Sequence, residues 1–352
     1  MQQTENKADH NAAFTNKVWA TAGILSLVVI VLLLLKTLFG VLLLALAGVL
    51  MAIYFHGFAG LISRRLNLPY KMALAVSVLI NIILLTGFFW LVGARLQMQA
   101  SELSETLPQT LDHAKGWLGQ SPAGSKVLGY LNQTGGSGKT FSAAKQFFSS
   151  SFGVLSDVYI ILLLGLFFTA SPAVYKKGIV KLLPSKAKDR GASLLDKIHQ
   201  VLKGWIKGQL LGFIFITVLT GIGLWILQMP LILTLALVAG LLNFVPNFGP
   251  IIAMVPAFLL ALPQGITTAF LVAGMYTAIQ VVQSAVTQPL IQKKMVSMPA
   301  AFIVFGQVAM GLLGGFWGIL LATPIMAILM TVVKKLYIEP QSEREHDKEK
   351  DM

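Results

Sequence analysis

Long apolar stretches separated by short basic loops form the dominant pattern along this chain. Six of them have about the length, near 20 residues, that an α-helix needs to cross the hydrocarbon core of a membrane. They are residues 18–35, 38–58, 72–94, 152–170, 209–227 and 266–285. Lys36 and Thr37 separate the first two stretches and predict a tight turn at one membrane face. The pattern therefore predicts an all-α polytopic membrane protein with about six full spans.

Two further apolar stretches, residues 231–262 and 299–333, are too long for one crossing. The first would span roughly 48 Å as a continuous helix, against a hydrocarbon core of about 30 Å. It is interrupted at residues 243–250, where Pro246 and Pro250 remove backbone donors and disturb the preceding turn. Lipid cannot satisfy the freed carbonyl groups, so the break has to be buried in protein or line a polar cavity. We expect both stretches to fold back as broken or re-entrant helical hairpins, which gives seven to eight membrane segments.

The polar segments predict the direction of the spans. Residues 171–207 carry nine Lys or Arg against two Asp, and such basic loops remain on the cytoplasmic side. Residues 95–150 form an extracytoplasmic insertion that combines amphipathic helical spacing with a loop rich in glycine and serine. With both hairpins folded back, every basic loop falls on one side, and the tails, residues 1–17 and 336–352, are cytoplasmic. Residues 208–335 form the predicted transport core.

Part of the basic connector has an apolar face at helical spacing. The members of this face are Leu194, Leu195, Ile198, Val201, Leu202 and Trp205. The pattern predicts a helix that lies in the inner membrane interface, with its basic face towards anionic lipid headgroups. The alternative is an ordinary connector that packs on the helical bundle.

Composition supports a membrane protein and excludes other classes. Hydrophobic residues make up 56% of the 352 and charged residues 12%, where a soluble domain has about a quarter. The mean hydropathy is +0.76. The net charge of +13 arises from loops beside apolar spans, which excludes nucleic acid as a partner. The absence of cysteine excludes disulfides, thiolate catalysis and cysteine metal ligands.

No motif in the chain points to catalysis. Gly138, Lys139 and Thr140 resemble the end of a phosphate-binding loop, but Gln133 stands where that motif needs a glycine. The five histidines are scattered without metal-ligand spacing. We therefore predict that the protein is not an enzyme and uses no metal and no cofactor.

Neutral polar residues distinguish the transport core. Between Lys197 and Ile338 the sequence contains no Asp and no Glu, and the amides and hydroxyls that remain suit an uncharged, hydroxyl-rich small molecule better than an ion. The predicted substrate-binding site combines residues of the broken helix with amide and hydroxyl side chains of the segments that follow it. The predicted substrate-binding residues are Asn243, Pro246, Asn247, Gly249, Pro250, Gln280, Gln283, Thr287 and Gln307, and the predicted hinge residues are Gly311, Gly314 and Gly315.

Several motifs resemble those of the autoinducer-2 exporter family, also called PerM-type permeases. Residues 240–257, GLLNFVPNFGPIIAMVPA, are similar to the family pattern N-x-I-P-x-x-G-P-x-I-x-x-x-P. Three more segments agree with the family: residues 204–211 (GWIKGQLL), 288–299 (QPLIQKKMVSMP) and 314–324 (GGFWGILLATP). The resemblance covers nearly the whole chain and is most specific from about Lys203 onward.

The resemblance implies a bacterial inner-membrane transporter that assembles as a homo-oligomer, a pentamer for this fold, and moves its substrate by an elevator-like shift. Some members of the family export autoinducer-2, and others exchange sodium or lithium for protons. Departures from the family pattern are minor, with Val245 and Phe248 in the broken helix and Gln292 where glycine is common.

We therefore expect export of a small neutral polar metabolite such as autoinducer-2, through a site at the broken helix. Two alternatives stay open. Sodium (lithium)/proton antiport would require a titrating carboxylate, for which Asp157, Glu102 and Glu105 are the candidates. A non-transport role as a membrane scaffold or lipid-binding protein is suggested by the basic connector.

Overall fold

The computed structural model describes the backbone of residues 2–87, 90, 151–246, 248–292 and 299–339. Side chains are described there except at residues 2–18, 20–21, 35–37, 151–155, 286–292 and 300. The predicted insertion at residues 95–150, Asn247 and the side chain of Thr287 lie outside the described parts. So does most of the predicted carboxyl-terminal tail.

Every regular element in the described residues is helical. The α-helices are α1 (Gln2–Leu66), α2 (Tyr70–Gly87), α3 (Ser151–Ala170), α4 (Pro172–Lys181), α5 (Lys188–Ile226), α6 (Ile232–Leu242), α7 (Phe248–Ala261), α8 (Ile266–Gln292) and α9 (Ala300–Val333). Short helical turns of other pitch cover Ser185–Ala187, Leu262–Gln264 and Lys334–Ile338. Within these residues, five helices are long and apolar enough to cross a membrane, or six if the bent pair α3 and α4 is one span. The all-α polytopic fold predicted from the sequence is confirmed.

The first helix, α1, is continuous over 65 residues. The prediction of a tight turn at Lys36 and Thr37 is therefore wrong for this structure. Lysine is a good helix former, threonine is disfavoured by less than about 0.7 kcal/mol, and the segment contains no proline. At about 1.5 Å per residue α1 is roughly 98 Å long. Its apolar side chains at residues 22–34 are exposed, whereas Leu43, Leu50 and Phe55 are buried in the bundle.

The third helix, α3, packs closely against α1 because glycines lie at the contact. A Cβ atom on Gly48 would lie 2.8 Å from Cβ of Leu164, and one on Gly165 would lie 3.0 Å from Cγ of Met51. Small residues of this kind allow the backbones of membrane helices to approach. The following helix, α4, leaves α3 at an angle of 87°.

The long helix α5 contains the apolar face that the sequence predicts to lie in the membrane interface. In the structure Leu202 and Trp205 are buried in a cluster with Leu43 and Ile53 of α1 and Leu321 of α9. The interfacial prediction is wrong for this part of the connector, because its apolar face is used for packing between helices. The alternative of a connector packed on the bundle describes it better.

Helices α6 and α7 form the first hairpin, which we call hairpin one. Leu235 and Ala239 of α6 are buried with Ala253 and Ala257 of α7 in one cluster that also contains side chains of α5 and α8. The turn is tight, because a Cβ atom on Gly249 would collide with the backbone carbonyl of the last residue of α6. The break predicted within residues 231–262 is thus a reversal of the chain.

Helix α9 is also a hairpin, hairpin two, because its backbone leaves the helical region at Gly315 (φ 58°, ψ −137°). A Cβ atom on Gly306 would lie 2.7 Å from Cγ of Met326, and one on Gly311 would lie 2.8 Å from Cγ1 of Ile319. In a straight helix, residues 306 and 326 would be about 30 Å apart. The chain therefore reverses at Gly315, and the two arms of hairpin two pack against each other.

Candidate substrate-binding site

The turn of hairpin one closes with backbone hydrogen bonds on both sides of Pro246. The Val245 amide donates to the Leu242 carbonyl at 2.9 Å, and the Gly249 amide donates to the Val245 carbonyl at 2.9 Å. Asn243, the last residue before the turn, is buried. The Pro246 carbonyl also accepts from the Phe248 amide at 2.9 Å. The Asn243 side chain and the Phe244 carbonyl have no partner among these backbone bonds, and the Pro246 carbonyl can accept a second bond.

Three glutamines from three different helices supply those partners. Nε2 of Gln283 on α8 donates to Oδ1 of Asn243 at 2.5 Å. Nε2 of Gln307 in hairpin two donates to the Pro246 carbonyl at 2.7 Å. A longer contact of 3.4 Å joins Nε2 of Gln209 on α5 to the carbonyl of Phe244. The sequence predicts that these polar groups face substrate, and the structure pairs them with protein amides.

A small cavity lies between α5, hairpin one and α8. Its polar lining comes from Thr220, Asn243, Tyr276 and Gln280, and Pro250 lines it together with apolar side chains. The cavity volume is about 10 Å³, which is close to the space that one water molecule requires. The cavity is therefore large enough for about one water molecule and has a mixed polar and apolar lining.

Buried polar atoms without partners gather on the face of α8 that carries this lining. Among the described residues, the Tyr276 hydroxyl, Oε1 of Gln280 and Oε1 of Gln283 are buried and have no hydrogen-bond partner. Oγ1 of Thr217 on α5 is also buried without a hydrogen-bond partner. Each such group costs about 1–3 kcal/mol when it stays unsatisfied inside a protein. This face of α8 therefore presents oxygen atoms that can form hydrogen bonds with a bound molecule.

The structure brings together some of the residues predicted for the site and separates others. Asn243, Pro250 and Gln280 line the cavity, and Gln283 is bonded to Asn243. Gly249 permits the tight turn beside the cavity. Gln307 does not line the cavity and donates instead to the Pro246 carbonyl in the turn. The predicted hinge residues Gly311, Gly314 and Gly315 belong to hairpin two.

Sequence reasoning missed Tyr276, Thr217, Thr220 and Gln209. Tyr276 lies four residues before Gln280, so helical spacing places it on the same face of α8, and that spacing was the signal available. The two threonines and Gln209 lie on α5, and the sequence contains no sign that α5 packs against hairpin one.

The only acid in the predicted spans beyond residue 150, Asp157, is used elsewhere. Its Oδ2 accepts a hydrogen bond of 2.6 Å from Nε1 of Trp317 in hairpin two. The lining of the cavity is neutral, and the chain from Gly208 to Gln292 carries no Asp, Glu, Lys, Arg or His. Among the described residues, no group of three His, Cys, Asp or Glu could hold a metal ion.

The sequence profile of the family described as AI-2E family transporter matches residues 23–338, nearly the whole chain. The chain belongs to the AI-2E transporter family. Together with several helices that are long and apolar enough to cross a membrane, this makes the AI-2E family member a multi-pass membrane transport protein. The family resemblance predicted from residues 240–257 is confirmed.

Individual relatives of this AI-2E family member carry the names of transport proteins. "Putative transport protein YrrI" of Bacillus subtilis (strain 168) is 31% identical over 158 residues, 45% of each chain. "Putative transport protein MT0215" of Mycobacterium tuberculosis (strain CDC 1551 / Oshkosh) is 24% identical over 281 residues, 77% of this chain and 76% of the relative. "Putative transport protein YueF" of Bacillus subtilis (strain 168) is 24% identical over 172 residues, 48% of this chain and 47% of the relative. This chain spans about half the length of the two Bacillus relatives that it matches.

Proposed function

We propose that this AI-2E family member exports a small, neutral, hydroxyl-rich metabolite, of the kind represented by autoinducer-2. The cavity between α5, hairpin one and α8 is its binding site. One observation carries the proposal. The Tyr276 hydroxyl and the side-chain oxygens of Gln280 and Gln283 are buried on one helix face without hydrogen-bond partners.

The chemistry of these atoms favours a ligand that donates hydrogen bonds. The amide oxygens of Gln280 and Gln283 can only accept, and the Tyr276 hydroxyl can donate or accept. A molecule with several hydroxyl groups supplies such donors and carries no charge. A charged ligand would lack a counter-charge here, because residues 208–292 contain no charged side chain.

Binding requires the site to open, because a cavity of about 10 Å³ is too small for a metabolite. The turn of hairpin one is held by side-chain hydrogen bonds from Gln209 and Gln307 to the carbonyls of Phe244 and Pro246. We propose that these bonds break when hairpin one moves away from α5 and hairpin two. The elevator-like movement implied by the family resemblance is consistent with such an opening.

The proposal places the protein in the inner membrane of a bacterial cell, with the basic loops and both tails on the cytoplasmic side. The Lys and Arg of residues 171–207 support this orientation. Assembly as a homo-oligomer is part of the same proposal and is supported by the family resemblance.

Export is tested in a bacterial strain in which the gene is deleted and then restored on a plasmid. We expect deletion to lower extracellular autoinducer-2 and to raise the intracellular pool, and we expect the restored gene to reverse both changes. An unchanged distribution would exclude autoinducer-2 as the substrate. An untargeted comparison of exported metabolites from the same strains would then identify the neutral polar molecule that moves.

Site variants test the cavity. Tyr276→Phe removes only a hydroxyl, and Gln280→Leu removes an amide of similar size. Each should weaken substrate affinity about two- to tenfold, since one hydrogen bond contributes roughly 0.5–1.5 kcal/mol. Thr277→Val is the matched control, because Thr277 is exposed on α8 and its hydroxyl donates to the Ala273 carbonyl of the same helix.

The expected result is weaker export by the two cavity variants and unchanged export by the control, at equal amounts of protein in the membrane. Equal export by all three would refute the assignment of the cavity. Sodium-dependent release of protons from the lumen of everted vesicles, abolished by Asp157→Asn, would replace neutral export with cation–proton antiport.

A further inference from the structure

The short helix α4 has a position that neither the transport site nor the helical bundle explains. It has 10 residues, about 15 Å, which is too short to cross a hydrocarbon core of about 30 Å. It leaves the apolar helix α3 at 87°. The 20 residues of α3 are about 30 Å long, which matches the hydrocarbon core without α4. If α3 alone is the span, α4 leaves its end at nearly a right angle and runs along the membrane surface.

One face of α4 is apolar and uncovered. Tyr175, Ile179 and Leu182 follow one another at a spacing of four and then three residues, so they lie on the same face. Their exposed fractions are 41%, 50% and 86%, respectively. Side chains of this size and exposure at the end of a membrane span are stabilised by the boundary between headgroups and acyl chains.

The opposite face of α4 is basic, roughly 150° around the helix from the apolar face. Lys177 and Lys181 lie four residues apart and are both exposed. The exposed residues that follow, Lys186, Lys188 and Arg190, extend the positive charge to the start of α5. Between residues 171 and 196 the sequence has six Lys or Arg against two Asp. One of these acids, Asp196, is already paired with Lys176 at 2.6 Å.

The ion pair between Lys176 and Asp196 connects α4 to α5. Edge-to-face contact between Phe168 of α3 and Tyr175, with ring centroids 4.7 Å apart, holds α4 at the bend. The apolar and basic faces of α4 are therefore presented by a helix with defined attachments on two sides.

We propose that α4 is a binding surface for anionic phospholipids of the inner leaflet. Tyr175, Ile179 and Leu182 contact the upper acyl chains, and Lys177 and Lys181 contact the phosphate groups. Charge complementarity selects anionic over zwitterionic lipid, since basic residues at a membrane surface are attracted to anionic headgroups. Continuity with the end of α3 favours a lipid over a soluble protein, because the apolar face lies at the level where the span ends.

The surface is tested with the full-length protein purified in detergent. Native mass spectrometry measures how many molecules of dioleoylphosphatidylglycerol or dioleoylphosphatidylcholine remain bound when each is added at the same concentration. We expect the wild-type protein to retain phosphatidylglycerol preferentially. In Lys177→Gln combined with Lys181→Gln, we expect the affinity for phosphatidylglycerol to fall roughly tenfold or more.

Two matched variants separate this surface from charge in general. Lys177→Arg with Lys181→Arg keeps the charge and should restore binding. Arg64→Gln with Arg65→Gln removes the same charge at the end of α1 and should leave phosphatidylglycerol retention close to that of the wild type. A wild-type protein that retains both lipids equally, or neither, would overturn the proposal. An equal loss in the α4 and α1 variants would do so as well, and gel filtration of each variant verifies that it is folded.

Discussion

Gln307 joins the two hairpins through one side chain. It is fully buried, and its Nε2 donates to the carbonyl of Pro246, which lies in the turn of hairpin one. The residues are 61 positions apart in the chain. A glutamine in an apolar stretch is visible in the sequence, but its partner depends on two reversals of the chain, so this pairing could not be predicted from sequence.

We predict that Gln307→Leu lowers the free energy of unfolding by about 0.5–1.5 kcal/mol, because it removes one hydrogen bond to the Pro246 carbonyl, which still accepts from the Phe248 amide. The measurement is the midpoint of thermal unfolding of the protein in detergent. Gln264→Leu is the control, since Gln264 is exposed in the turn after α7. A midpoint for Gln307→Leu equal to that of the control would show that the hydrogen bond contributes nothing to stability.

The cavity residues on α8 were only partly predictable. Gln280 and Gln283 are conspicuous as amides in an apolar segment, and the spacing of three residues puts them on one face. Tyr276 escapes such reasoning because a tyrosine in an apolar helix is usually a core residue. Its unpaired hydroxyl becomes evident only when α5 and hairpin one are packed around it.

At the scale of elements, the two hairpins reverse the chain by different means. Hairpin one uses a turn around Pro246, whereas Pro250 falls in the first turn of α7, where a proline is tolerated. The prediction that both prolines keep the chain out of a helix is thus wrong for Pro250. Hairpin two has no proline at its tip and reverses at Gly315, whose positive φ favours glycine.

We predict that Gly315→Ala lowers the free energy of unfolding by about 1–2 kcal/mol, because a side chain with Cβ is strained at this backbone conformation. Gly60→Ala is the control, since Gly60 lies in α1 with nothing within 4 Å of an added Cβ atom. Alanine there should leave stability unchanged or raise it slightly, because it is the better helix former. Thermal unfolding midpoints measure both, and a Gly315→Ala midpoint at or above the control would show that the tip tolerates Cβ.

At the scale of the whole molecule, the apolar pattern predicts which segments enter the membrane better than it predicts where helices end. Both over-long stretches are reversals, as their length requires. The turn at Lys36 and Thr37 is absent because nothing in the local sequence stops a helix. A bilayer adds a condition that local helix propensity does not contain, since the exposed apolar side chains at residues 22–34 also need lipid.

We predict that reporter fusions place residues 58–70, 171–207 and 286–298 in the cytoplasm and residues 95–150 outside. A reporter at Gln2 should also be cytoplasmic if the membrane bends α1 near Lys36, where this structure has a continuous helix, because lipid can cover both apolar halves of α1 only when the chain crosses twice. Opposite sides for reporters at Gln2 and Ser63 would show that α1 crosses once as a straight helix. A cytoplasmic location for residues 95–150 would overturn the whole arrangement.

The uncharged stretch from Gly208 to Gln292 has an electrical consequence. A side chain with one elementary charge that crosses the field of a membrane gains or loses about 2.3 kcal/mol per 100 mV. Hairpin one and α8 carry no such side chain, so the membrane potential does almost no work on them when they move. Under the proposed movement of hairpin one, the return step without substrate should therefore be nearly insensitive to the membrane potential.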